Sequence, residues 1–239
     1  QRRIVAEWDE VPALLRDGYV AVEDRRFWQH GGVDVRGMLR ALWRDVATLS
    51  LREGFSTIPM QLARQIFPEE LPRSDKVRRK ICELRLAGQI EEEYSKREIL
   101  LMYLNQIYLG DGLYGVESAA QGYFGKPAAE LNLAEAALII GLAKSPEGFN
   151  PRKNPVRAVE RSSTVLAVLA REGVITAEEA ERARAAPLRL APPAEAAGAA
   201  PYFVAAVRRE LRELFGANAD ERGLRVYTGL DPELQQAAQ

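Results

Sequence analysis

Apolar residues recur at helical spacing over most of the chain. In VPALLRDGYVAVED the stripe of Val11, Leu14, Leu15, Gly18 and Val22 predicts a helix that carries Glu23 at its end. VDVRGMLRALWRDVATLSL repeats the spacing with Leu39, Leu42, Trp43, Val46 and Leu49. Ser95 with Glu98, Asn132 with Glu135, and Thr176 with Glu179 have the form of capping boxes. They open KREILLMYLNQIYL, LAEAALIIGLA and a short helix after the Gly173 stop. In the first of these the apolar residues run nearly all round, which predicts a central helix. Residues 108–126 hold too much glycine for one helix and read as loop, short helix, loop. From Pro187 to Pro201 proline and alanine predict a linker. Beyond it, YFVAAVRRELRELFG reads as a helix and LRVYTGL as a strand whose partner is expected outside the chain. The pattern is mainly α, with a short α/β appendage at the C-terminal end.

Composition narrows the class. The chain has 239 residues, 47% hydrophobic and 28% charged, an ordinary globular balance with enough length for a real core. A net charge of −1 argues against non-specific nucleic-acid binding. One cysteine, Cys82, rules out an intrachain disulfide and a multi-cysteine zinc site; with one histidine there is no His-rich metal cage either. Cys82 reads as a small buried filler. No apolar run reaches the roughly 18 residues of a membrane span, and no signal peptide is visible. The chain opens at QRRIVAEWDEVP and stops within DPELQQAAQ, as expected of a piece of a longer protein.

Three stretches carry candidate chemistry. AVEDRRFWQHGGVD sets Glu23 and Asp24 beside aromatics, where burial would raise a carboxyl pKa. A solvated helix end is the plainer reading. In KVRRKICELRLAGQI, Val77, Ile81, Leu84 and Gly88 fall on one side, with Gly88 small enough for close packing. Lys76, Arg79, Lys80 and Glu83 form an adjoining stripe, three cations on one carboxylate, suited to holding a phosphate or simply facing solvent. GFSTIPMQLARQIF offers Ser56 or Thr57 as N-cap and Pro59 in the first turn; an ordinary capped helix is the plainer reading, and free amides that with Arg64 attract an anion are the other. His30 reads as a structural hydrogen-bonding residue, and Asp24 as either catalytic or an orienter of nearby backbone. Asn105 and Tyr108 fit core polar residues or sugar contacts equally. Trp43 with Leu39 and Leu42 fits a core or a membrane-dipping surface.

Taken in order, these stretches resemble the peptidoglycan glycosyltransferases, the polymerase module of class A penicillin-binding proteins and monofunctional transglycosylases. EDRRFWQHGGVD, GFSTIPMQLARQ, RRKICE, KREILLMYLNQIYLGDGLYGVESAAQGYFGK and LAEAALIIGLAKSPEGFNP are similar to five motifs of that family, from about residue 10 to 165. The resemblance implies a lysozyme-like fold, with a glycosyltransferase domain over 1–186, a linker over 187–201, and over 202–239 the start of a region leading to a transpeptidase domain. It implies polymerisation of lipid-linked disaccharides at the extracytoplasmic face of the bacterial membrane. By the match, Glu23 is the general base and Glu83 assists near the leaving group. Asp24, Thr57, Gln61, Arg64, Arg79, Lys80 and Asn105 match substrate-binding positions. The implied partners are lipid II, the growing glycan and the membrane surface. A divalent cation such as Mg could share the pyrophosphate site. Phe55, Pro59, Met60, Gln65 and Ser162 depart from the family pattern, the last leaving Arg161 without a second arginine. A lysozyme-like hydrolase or a non-catalytic glycan-binding domain are the alternatives. The first has no use for cations suited to pyrophosphate, and the second needs neither glutamate.

Overall fold

The computed structural model describes residues 2–31, 56–72, 75–192, 201–216, 226 and 228–230. The expected helix bearing Trp43 and the Phe55 departure lie outside these, as does the Lys76 side chain. The chain divides into two compact units, Gln1–Ala191 and Pro192–Gln239.

In the first unit, β1 (Arg2–Arg3) precedes α1 (Ala13–Glu23), α2 (Ile58–Ile66), α3 (Lys76–Glu93) and α4 (Lys96–Gln106). Then follow β2 (Leu113–Tyr114), α5 (Val116–Phe124), α6 (Leu133–Leu142), α7 (Pro155–Arg171) and α8 (Ala177–Ala185). The architecture is mainly helical, as the apolar spacing predicts. The second unit holds α9 (Pro201–Phe215). In the expected strand LRVYTGL, the described residues Val226 and 228–230 are not in a strand.

All three expected capping boxes form, at the starts of α4, α6 and α8, so the polar signals set these helix starts. Every residue of α6 from Ala134 to Leu142 is buried. Together with α4, which has no exposed residue from Ile99 onward, it makes the centre. Helices α1 and α7 pack on α6, and α2 packs on α3 and α4. A Cβ at Gly18 would stand 2.5 Å from Ile140 Cδ1, so the glycine lets α1 lie close against α6. Gly115, at φ +84, ends the loop after α4 in a conformation other residues avoid; a Cβ there would meet Asn105 O at 2.7 Å.

Two further expectations fail. Helix α3 is turned from its expected side: Val77 is 70% and Ile81 59% exposed, and a Cβ at Gly88 would meet nothing within 4 Å. The packed face is Glu83, Leu86, Ala87 and Ile90, spaced i, i+3, i+4 and i+7, a helical stripe whose first member is charged. The linker also begins later than Pro187. Leu188 and Leu190 pack on the core, Ala191 N donates to Tyr123 O at 2.8 Å, and Arg152 Nη2 donates to Ala191 O. Alternating apolar side chains and satisfied backbone keep residues 187–191 in the first unit.

Candidate active site

Glu23 is the last residue of α1, and Asp24 is its C-cap. From α2, Gln61 Nε2 donates to Glu23 Oε2 at 2.9 Å. From α4, the Tyr103 hydroxyl donates to Gln61 Oε1 at 3.1 Å. Burial raises the Glu23 pKa; the Gln61 bond and the charges of Arg161 and Lys144 oppose it, and Asp24 adds to it. The result is a carboxyl held more basic than usual, which suits a proton acceptor.

Asp24 does a different job. It is buried, its Oδ2 accepts from Ile58 N at 3.0 Å, and its Oδ1 lies 2.9 Å from His30 Nε2. It ties the end of α1 to the His30 turn and to the start of α2. His30 is the structural residue the sequence suggests. Thr57 caps α2, its hydroxyl accepting from Met60 N, while Pro59 has no N–H to offer. Asp24, Thr57 and the proline thereby account for the amides of residues 58–60, and Gln61 N reaches Thr57 O. The start of α2 is thus an ordinary capped helix, with its first amides satisfied from within the protein.

Positive charge gathers instead on α2 and α3. Glu83 is fully covered, with 0% side-chain exposure. Arg64 grips it with two bonds, Nε to Oε1 at 2.8 Å and Nη2 to Oε2 at 3.1 Å. Lys80 Nζ donates to Oε2 at 3.1 Å and to Ser56 Oγ at 2.5 Å, and Arg79 Nε lies 3.7 Å from Oε1. Burial would push the Glu83 pKa up, but the hydrogen bonds and charge of Arg64, with those of Lys80, outweigh it and hold the carboxyl low. Lys80 is itself lowered by burial and by Arg64 and Arg79, against the pull of Glu83. Three cations on one carboxylate leave surplus positive charge, with Arg64 still 48% and Arg79 38% exposed. An exposed, preassembled cation cluster can neutralise a developing phosphate charge.

Asn105 stands apart from both groups. Its Oδ1 accepts from Ala6 N and its Nδ2 donates to Ala6 O, each at 2.9 Å. This amide pins the segment after β1, which pairs in parallel with β2. Tyr108 donates to Glu147 Oε1 at 2.6 Å.

A family model described as Transglycosylase matches residues 1–170. The chain belongs to the transglycosylase family. Over its whole length it is 42% identical to penicillin-binding protein 1A of Escherichia coli K12 and 40% identical to that of Aquifex aeolicus, covering 28% and 32% of those proteins. The chain thus spans about a third or less of these relatives' length. It is similar to the crystal structure of penicillin-binding protein 1A from Haemophilus influenzae, with 28% identity and a TM-score of 0.53 over 92% of this chain and 22% of that one.

In this transglycosylase, Pro59 and Met60 sit in the first turn of α2 without breaking it. Ser162 is buried, and Arg161 is the arginine that acts on Glu23, with its Nε 3.4 Å from Gly141 O. Gln65 Oε1 is buried without a hydrogen-bond partner. The sequence did not single out Tyr103 or Lys144. The spacing of Tyr103 marks only a core position; the available signal was its hydroxyl, which needs a partner once buried. Both oxygens of the Glu83 carboxylate are engaged by cationic donors.

Proposed function

We propose that this domain polymerises glycan strands by inverting transfer of a lipid-pyrophosphate-linked chain to the 4-hydroxyl of a lipid II acceptor. Glu23 takes the hydroxyl proton as the oxygen forms its bond to the anomeric carbon. The bond from that carbon to the pyrophosphate oxygen breaks, and the electron pair leaves with the pyrophosphate. Arg64, Arg79 and Lys80, held by Glu83, receive the charge that develops there. Gln61 supports the base, while Asp24 and Thr57 fix the helix that joins the two groups. We place the activity at the extracytoplasmic face of the membrane, and we propose that a transpeptidase domain accompanies the chain in the parent protein. No helix among the described residues is long and apolar enough to cross a membrane.

One observation carries the reading: a desolvated carboxyl and a cation-wrapped carboxyl are held by one helix, through Gln61 and Arg64. The test is incubation of the domain with lipid-linked disaccharide pentapeptide, and separately with finished peptidoglycan. Polymer from the first and no digestion of the second is expected. Digestion without polymer would select a hydrolase, and neither product would leave a binding domain.

A further inference from the structure

Gln61 can face Glu23 with either end of its amide. Only the Nε2 end supports an ionised carboxylate, which accepts hydrogen bonds and cannot donate them. The Oε1 end would set oxygen against oxygen. Nothing within Gln61 decides between the two, so the neighbour on its far side must.

That neighbour is Tyr103, fully buried in α4, whose hydroxyl donates to Gln61 Oε1 at 3.1 Å. Its ring is set edge-on to Tyr19 with centroids 5.9 Å apart, and Tyr19 spends its own hydroxyl on Ile139 O. Neither ring can turn away without opening the core.

We propose that Tyr103 is a positioning residue for the base: its buried hydroxyl fixes which end of the Gln61 amide faces Glu23. This rests on the reading of Glu23 as the base. Burial, with the charge of Glu23, pushes the Tyr103 pKa well above its ordinary value, so the hydroxyl stays a donor at every working pH. A permanent donor demands an acceptor, Oε1 answers it, and Nε2 is left for Glu23 Oε2. The relay runs through three helices, from Tyr103 on α4 through Gln61 on α2 to Glu23 on α1. The other groups that act on Glu23 are Asp24 after α1, Lys144 after α6 and Arg161 on α7. None of these is bonded to Gln61 among the described hydrogen bonds.

Tyr103→Phe removes the hydroxyl and keeps the ring. Without the donor the amide is free to turn its oxygen to Glu23, and the carboxyl loses its hydrogen bond for part of the time. The Glu23 pKa then rises further, because the hydrogen bond that lowers it is weakened, and the acid limb of the rate profile moves up alongside it. The titration is read on the free protein by carboxyl-carbon NMR of Glu23, in wild type, Tyr103→Phe, Gln61→Ala and the double variant. An upward shift in Tyr103→Phe that disappears in the Gln61→Ala background is expected. No shift, or the same shift in both backgrounds, would overturn the proposal. Undiminished polymerisation by Glu23→Gln would defeat the base reading instead and leave this titration interpretable.

Discussion

Gln61 and Arg64 stand three residues apart on α2, and each holds one of the two glutamates: Gln61 bonds Glu23 at 2.9 Å and Arg64 bonds Glu83 at 2.8 Å. Residues at this spacing share a helix face, so one rigid element sets the separation of the two carboxyls. The two carboxyls are driven in opposite directions, Glu23 up by burial and Glu83 down by its cations despite burial. Such divergence within one site separates a proton acceptor from a fixed charge.

That divergence predicts opposite dependences of stability on pH. Glu83 has a lowered folded pKa, so its contribution is complete above the ordinary carboxylate value and is lost as pH falls through the folded one. Glu23 has a raised folded pKa, so the folded state holds the proton more tightly and loses stability as pH rises from the ordinary value to the raised one. Chemical unfolding across pH should show Glu23→Gln more stable than wild type at neutral pH, with the advantage shrinking toward pH 4. Glu83→Gln should be less stable at neutral pH, and its deficit should shrink in acid.

Arg64→Ala leaves Glu83 covered and short of its two-bond partner, with Lys80 and Arg79 remaining. Because Arg64 is itself half exposed, the stability loss is modest, about 1 kcal/mol. Catalysis should suffer more. Polymerisation should fall by roughly 10²-fold or more, since a charge aimed at the leaving pyrophosphate is gone. Unfolding and polymerisation measured on the same preparation check the pair of effects.

Asp24→Ala removes the acceptor for Ile58 N and the partner of His30 together. A loss of roughly 1–3 kcal/mol is expected. Asp24→Asn keeps an oxygen for Ile58 N and should lose less. Denaturant midpoints of the two variants rank them; equal losses would contradict the backbone-holding role.

Asn105→Ala separates anchoring from substrate binding. Releasing the Ala6 backbone should lower stability by roughly 1–3 kcal/mol, while KM for the lipid substrate stays near wild type. A raised KM with unchanged stability would restore Asn105 to the substrate site.

Much of the fold was legible because its signals are local. Ser95 with Glu98, Asn132 with Glu135 and Thr176 with Glu179 mark real helix starts, and the stripe ending at Glu23 is a real helix. The packed side of α3 is not legible in the sequence because Glu83 is the first member of its buried stripe. A charge at a core position hides the period until its partners on α2 and α3 are known. The same limit applies to Asp24 and Asn105, whose partners Ile58 and Ala6 lie 34 and 99 residues away in the chain. Residue type announced that these side chains were polar and well placed. Only the tertiary contact shows that each holds a distant stretch of backbone.

The central claim is that Glu23 moves the proton while a different group binds the pyrophosphate. Its most direct measurement is Glu23→Gln assayed twice, for the single-turnover rate of polymer formation and for binding of an undecaprenyl pyrophosphate probe. A rate lost by about 10²–10⁴-fold with binding unchanged is predicted. Polymer formed at the wild-type rate would contradict it.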